Sequence, residues 1–489
     1  MNADHATLAA IALPLVAAFA IPLAARGGAN LRETVTLVAA AALAWTVWGI
    51  LPDVLAGGRP SLRLGQIMPG IEIAFLVEPL GMLFAALAAG LWIVNSIYSI
   101  GYMRGNRETN QTRYYVCFAI ALGATMGVAF AGNLFTLFLF YEVLTLSTYP
   151  LVAHKGDRKS VRSARVYLGV LLSTSIGLLL PAIIWTYQTA GTGDFTPGGI
   201  LADVMDGPAV GLLLAFFVFG TGKAAVMPVH RWLPAAMVAP TPVSALLHAV
   251  AVVKAGVFTL TKVIVYIFGV DFLFAEPSSH WLLYIAAFTI VAASVVALRQ
   301  QNLKRLLAYS TIAQLSYVVM AAAILKPLAE IGAAIHIVAH AFGKITLFFA
   351  AGAIYTASKK TELGELGGIG RRMPWTMTAF TIGALSMIGV PPTGGFVSKW
   401  YILAGAFEAD NYLALATIIV STALNAAYFL PIVFAAWFAR ETAPPAVDHG
   451  EAPFAVVLAL VTTAGLTLAF FFFNGPALEL EAQVVRGLK

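Results

Sequence analysis

Fourteen apolar runs, each of spanning length, constrain this chain more than any other feature. They fall near residues 6–25, 34–51, 74–98, 114–131, 133–153, 164–187, 209–227, 242–268, 281–298, 306–325, 330–357, 375–391 continuing to 406, 412–438 and 453–473. A bilayer core of about 30 Å takes about 20 apolar helical residues, and lipid offers no partners to unbonded backbone. The predicted fold is therefore an all-α polytopic membrane protein with about 14 transmembrane helices. Composition agrees, since only 11% of the residues are charged, against about 25% in soluble domains. The first run follows Asp4 and His5 instead of a basic stretch, which reads as a membrane helix and not a cleaved leader. Cys117 is the only cysteine and lies in an apolar run. It cannot by itself build a disulfide, an iron–sulfur site or a haem attachment.

Basic residues set the expected orientation. Alternate loops hold nineteen of them: Arg26 and Arg32, Arg104 to Arg113, Lys155 to Arg165, Arg231, Arg299 to Arg305, Lys359 to Arg372, and Arg440. The opposite side holds five: Arg59, Arg63, Lys326, Arg486 and Lys489. Both termini are expected on the non-cytoplasmic face of a bacterial or archaeal cytoplasmic membrane. This distribution accounts for the net charge of +6 without any nucleic-acid partner.

Five lysines remain inside predicted helices: Lys223, Lys254, Lys262, Lys344 and Lys399. At the bilayer centre each costs about 2.5–3.5 kcal/mol on insertion scales, so such residues mark ion paths. Lys262 is expected to snorkel towards a helix end. Among carboxylates, Glu142 is read as the one in mid-helix, with Glu78 at the edge of the third helix. Lys223, His248 and Lys254 fall in GTGKAAVMPVHRWLPAAMVAPTPVSALLHAVAVVKAG, residues 220–256, which Pro228, Pro234, Pro240 and Pro242 interrupt. Proline frees carbonyls from their partners, and broken helix at membrane depth is tolerated only beside protein or water. GVPPTGGFVSK at 389–399 is a second such stretch, about five helices later. Paired interruptions point to an inverted repeat. Helices 4–8 (113–270) and 9–13 (278–440) would be the repeats, with helices 7 and 12 broken, between N-terminal helices at 1–112 and a C-terminal helix at 450–489.

Each constellation has a bland counterpart. Glu142 and Lys223 are expected to form a buried ion pair that opens and closes as a proton gate; the alternative is a static pair joining two helices. His336, His340 and Lys344 recur every four residues, which places them along one helical face as a titratable ladder. Satisfied core histidines are the competing reading. A zinc site is weakly supported, because HxxxH lacks the following glutamate and a third ligand, so no metal is expected. GTGK at 220–223 looks like a phosphate loop but has Phe217 where the first glycine belongs and Ala224 after the lysine. Asn110–Gln111–Thr112 matches a glycosylation sequon by pattern only.

The motifs together resemble the antiporter-like membrane subunits shared by respiratory complex I, Mrp-type cation/proton antiporters and energy-converting membrane hydrogenases. They are Glu142, Lys223, HRWLP at 230–234, APTPVSALLHAVAVVKAG at 239–256, HxxxHxxxK at 336–344 and PPTGGFVSK at 391–399. The resemblance implies fourteen helices in two inverted five-helix repeats, with Lys223, Lys254, Lys344 and Lys399 as stations of a hydrated axis. It also implies sister membrane subunits as partners. Many relatives read WLPDAH where this chain has Trp232–Leu233–Pro234–Ala235–Ala236–Met237, so an acid and a histidine are absent there. His230 remains as a candidate entrance group. The length is similar to that of a D-type Mrp protein or a hydrogenase-type homologue.

The function expected is proton translocation within a multisubunit complex. Protons would enter near Lys223, pass by His248 and Lys254 to Lys344 and leave past Lys399, with Glu142 gating Lys223, His336 and His340 as supporting relay groups, and no cofactor. The alternatives are sodium or potassium antiport within this subunit, a scaffold without transport, or redox chemistry, for which no flavin, haem or quinone motif is present.

Overall fold

A computed structural model describes residues 3–68, 70–441 and 450–487. Among these the chain is nearly all helical. The long helices are α1 (Ala3–Ala25), α2 (Ala29–Leu55), α3 (Pro79–Gly105), α4 (Gln111–Ala129), α5 (Leu134–Val152) and α6 (Arg158–Ala190). After α7 (Pro208–Gly220) come α8 (Thr241–Phe268), α9 (Trp281–Leu298), α10 (Leu303–Ala323) and α11 (Pro327–Ser358). The chain continues through α12a (Pro374–Ile388), α12b (Gly394–Glu408), α13 (Tyr412–Phe438), α14 (Phe454–Phe472) and a short α15 (Gly475–Gly487). Twelve of the described helices are long and apolar enough to cross a membrane. This is a membrane-embedded, multi-pass protein.

The two proline-rich stretches are where helix fails. Helix α7 stops at Gly220, and only short turns follow until Thr241. Three prolines in that span, Pro228, Pro234 and Pro240, remove amide donors, and Ala225 adopts a left-handed φ of 55°. Helix α12a ends at Gly389, whose φ of 90° suits the residue after a helix. Pro391 and Pro392 then forbid immediate resumption, and α12b restarts after Thr393.

One element departs from the all-α expectation. Ser61–Met68 and Ile71–Leu76 pair as an antiparallel hairpin turning at Gly70, φ 79°. Residues 74–76, read from hydropathy as the start of the third helix, belong to its second strand. Apolar Ile71 and Ile73 flank Glu72 there, the period of a strand. Helix α3 begins at Pro79 instead, a residue preorganised for a first helical position.

The loops sort onto two faces. Asp4 Oδ1 accepts from the Ser61 amide at 3.0 Å, and Arg59 donates to Gln483 Oε1 at 2.9 Å. The amino end, the hairpin and α15 thus share one face. On the other face, Lys159, Arg231, Asn302 and Arg305 line a cavity of about 460 Å³. Lys155, Lys159, Lys304 and Lys360 line a neighbouring one of about 260 Å³. Basic loops that the sequence places on one side therefore do meet. Lys489, counted with the opposite side, lies outside the described residues.

Burial ranks the helices. In the most apolar window of α8 every residue is buried, and in α11 94% are; in α13 only 33% are. Trp45, Phe19 and Phe407 instead project outward, as lipid-facing side chains do. The helices carrying Lys254, His336, His340 and Lys344 form the centre of the protein.

Candidate functional site

The first break holds Lys223. The ammonium donates to the Tyr141 carbonyl and to Thr145 Oγ1, each at 2.6 Å, and lies 3.0 Å from the centroid of the Tyr141 ring. Tyr141 OH accepts from the Lys223 amide at 3.2 Å, and Trp232 Nε1 donates to the freed Gly222 carbonyl at 2.9 Å. The tryptophan of HRWLP thus satisfies backbone that the break exposes. Helix α8 approaches so closely that a Cβ on Gly256 would stand 2.3 Å from the Lys223 carbonyl carbon. Only glycine fits there.

The expected Glu142–Lys223 ion pair is not among those of the described residues. Glu142 lies one residue beyond Tyr141 on α5, about 100° around the helix, while Lys223 reaches the carbonyl side of Tyr141. Both Glu142 carboxylate oxygens are buried without a hydrogen-bond partner. They are near enough to act coulombically on Lys223.

The second break holds Lys399 in a similar way. Its ammonium donates to the Met387 and Ile388 carbonyls at 3.1 and 2.8 Å and to Thr422 Oγ1 at 3.2 Å. Those carbonyls are the terminal acceptors of α12a, which have no partner within their own helix, and a cation suits a helix C-terminus. A Cβ on Gly395 would meet the Ser386 carbonyl oxygen at 1.8 Å, so this break is also closed over by glycine. Lys399 faces the interior and is 5% exposed.

Between the breaks runs a chain of contacts. Lys254 Nζ is 2.5 Å from His340 Nδ1. The His340 and His336 rings stack with centroids 5.9 Å apart, and His336 Nδ1 is 2.9 Å from Ser398 Oγ. Ser398 adjoins Lys399, whose ammonium lies 5.1 Å above the Tyr317 ring that stacks on His336. A second arm starts at Lys344, which donates to Ser310 Oγ at 2.7 Å. Tyr428 OH is 3.0 Å from Ser310 Oγ and bonds Asn425, whose amide reaches the Met387 carbonyl at 3.4 Å. Lys399 shares that carbonyl.

His248 is buried against Phe348, within a π-helical turn at Leu246–Val250. Neither of its ring nitrogens has a protein partner. No hydrogen bond among the described residues joins Lys223 to Lys254. His230 is half-buried, 6.5 Å from the ring centroid of Tyr309, which lines the larger basic cavity.

The sequence reading named Lys262 and Glu78 without their pairing and passed over other buried acids. Lys262 does not snorkel; it is fully buried and pairs with Glu78 Oε1 at 2.6 Å. The pairing partner sits at the start of α3, far along the chain, and the helix-end position of each residue disguised both. Glu330, Glu481 and Glu33 are buried as well, Glu33 with Arg32 and Arg104. Among the described residues no group of three or more His, Cys, Asp or Glu could hold a metal ion.

Residues 131–425, which contain both breaks and the contacts from Lys254 to Lys399, match the family described as NADH:quinone oxidoreductase/Mrp antiporter, TM. The chain belongs to this family. It is 33% identical over 435 residues to the NADH-quinone oxidoreductase subunit N of Desulforudis audaxviator, covering 88% of this chain and 86% of that one. It is 27% identical over 439 residues to the D subunit of the Na(+)/H(+) antiporter of Alkalihalophilus pseudofirmus, covering 88% and 87%. Other curated relatives are longer, and the chain spans 40% of one and 51% of another. The solved Mrp complex from Dietzia sp. DQ12-45-1b contains a chain of the same fold, with TM-score 0.87 at 21% identity, covering 100% of this chain and 98% of that one. The protein is thus an antiporter-like membrane subunit of the Mrp/complex I superfamily, with complex I and antiporter relatives at similar coverage.

Proposed function

We propose that this subunit moves protons between Lys223 and Lys399 within a larger complex of membrane subunits in a bacterial or archaeal cytoplasmic membrane. The observation that carries this reading is the buried series Lys254–His340–His336–Ser398, with Lys399 next to Ser398 in sequence, whose lysines and histidines both hold and release protons. Lysine is a strong base that interior burial weakens, and histidine titrates near neutrality. Adjacent groups of these kinds can exchange a proton with little cost.

The proton enters from the face of the basic cavities, near His230, and reaches Lys223. Glu142 acts on Lys223 at short range through its charge, and a small movement of either side chain makes or releases the pair. From Lys223 to Lys254 water carries the proton, since His248 and Glu142 present buried polar atoms that protein does not satisfy. Lys399 then delivers it towards the hairpin face, where both termini lie in the non-cytoplasmic compartment. In this reading the breaks at Lys223 and Lys399 correspond in two inverted repeats, helices 4–8 and 9–13 of fourteen.

The assembled complex in proteoliposomes tests the reading. Lys223→Ala or Glu142→Ala should abolish proton-coupled activity with assembly intact, and unchanged activity in both variants would refute the assignment. Cation exchange within this subunit is the less favoured alternative, because an axis lined by lysines repels sodium and potassium. Activity that requires sodium at the native axis would support that alternative instead.

A further inference from the structure

Behind the hairpin face lies a second group of buried ionisable side chains that the proposed pathway does not use. Glu78 precedes α3, Lys262 belongs to α8, Glu330 opens α11, and Glu481 lies in α15, which packs on α3 and α11. Lys262 is 2.6 Å from Glu78 Oε1, donates to the Ala131 carbonyl at 2.7 Å, and sits 4.3 Å above the Phe195 ring. Glu481 is 3% exposed, and its Oε1 has no hydrogen-bond partner. Glu330 is 5% exposed, with neither oxygen bonded. The three carboxylates are close enough for Glu78 and Glu330 both to act on Glu481.

Of the three acids, Glu78 alone pairs with the ammonium of Lys262. A paired carboxylate is tolerable in an apolar interior, but a surplus unpaired one costs far more than proton uptake does. Arg59, at the rim, is the other cation facing the group; Tyr266 and, beside Glu330, Asp271 complete its ionisable neighbours. If the cluster served only to tie helices together, Glu78 and Lys262 alone would suffice. Glu330, with neither oxygen bonded, and Glu481, with Oε1 unbonded, add cost that this pair does not require.

We propose that Glu78, Lys262, Glu330 and Glu481 form a second proton-holding site, with Glu481 as the acid that carries the proton, reached by solvent from the hairpin face. A cavity of about 260 Å³ lined by Arg59, Glu78, Tyr266, Gln483, Val484 and Gly487 supplies the route. Its walls include the helix that bears Glu481. Burial holds the Glu481 carboxyl well above the usual carboxylate range. Lys254 lies eight residues before Lys262 on α8, about 12 Å away along the axis and some 80° around it. The site thus shares helix α8 with Lys254, the first lysine of the interior chain.

Infrared difference spectroscopy on the purified, assembled complex reads this site without any transport. At neutral pH a protonated carboxylic C=O band should be present, shift in D₂O and disappear in Glu481→Gln, while Glu479→Gln, an exposed residue, leaves it unchanged. Glu481→Asp, which keeps the acid, should displace the band and serves if the glutamine variant fails to assemble. An identical band in both Glu481 variants, or a band that never exchanges with D₂O, overturns the proposal. Loss of the band on adding sodium at constant pH also overturns it, by making the ligand a metal cation. Loss of transport in Lys223 variants has no bearing on this band, so the two readings fail separately.

Discussion

Lys254 Nζ and His340 Nδ1 stand 2.5 Å apart in the most buried region of the protein. The two residues come from different helices, 86 positions apart in sequence, and neither touches lipid. A lysine in an apolar interior is normally paired with an acid, yet this one faces a histidine. Two bases at hydrogen-bonding distance can share one proton but do not both carry one, since like charges this close disfavour each other. In the proposed pathway that constraint would make the pair a single-proton relay.

Removing one member should stop the relay. His340→Ala is expected to lower proton-coupled turnover by roughly 10²-fold, the scale of a lost general acid–base group. Turnover of the assembled complex measures it, with subunit stoichiometry as the control. Turnover within twofold of the native complex would exclude His340 from the path.

Backbone approach at the first break gives a stability prediction. A Cβ at Gly256 would lie 2.3 Å from Lys223 backbone, so Gly256→Ala forces α8 away from the break. The expected cost is about 1–3 kcal/mol, the usual penalty of overpacking. Thermal unfolding of the detergent-purified complex should show it, and an unchanged midpoint would mean that the break can shift freely.

Much of this is legible in the sequence, for a physical reason. Water-free surroundings penalise charge, so lysines inside apolar runs stand out, and Lys223, Lys254, Lys344 and Lys399 all do so. Prolines and glycines mark both breaks. Partners are not legible. Lys223 finds a carbonyl and a threonine instead of Glu142, because a one-residue step on α5 turns the carboxylate aside. Glu78–Lys262 escapes because each residue lies where a hydropathy profile allows charge. The hairpin at 61–76 is too short and too alternating for a spanning-helix pattern, and Glu481 sits in a segment that reads as a polar tail.

Glu78 and Lys262 should behave as a buried pair. Lys262→Met alone leaves a carboxylate with its partner removed, at an expected cost of about 3–5 kcal/mol. Glu78→Leu combined with Lys262→Met should recover most of that loss. Unfolding midpoints of the two variants provide the comparison, and equal destabilisation in both would contradict the pairing.

His154, just after α5, supplies a pH dependence outside the membrane. Burial, reinforced by Arg113, lowers its pKa from 6.5 to about 4. The neutral form is favoured in the folded state, so the stability it contributes is present above about pH 6.5 and is lost as pH falls towards 4. His154→Gln should flatten the stability profile between those values. Melting temperature against pH tests this, and parallel profiles would show that His154 does not titrate with folding.

The central claim is tested most directly by proton flux through the assembled complex in proteoliposomes, driven by its own partner reaction and read by an internal pH dye. Lys254→Met keeps the side-chain length and removes the proton carrier opposite His340. The account predicts flux at the level of passive leak with the complex intact. Native flux in that variant would contradict it.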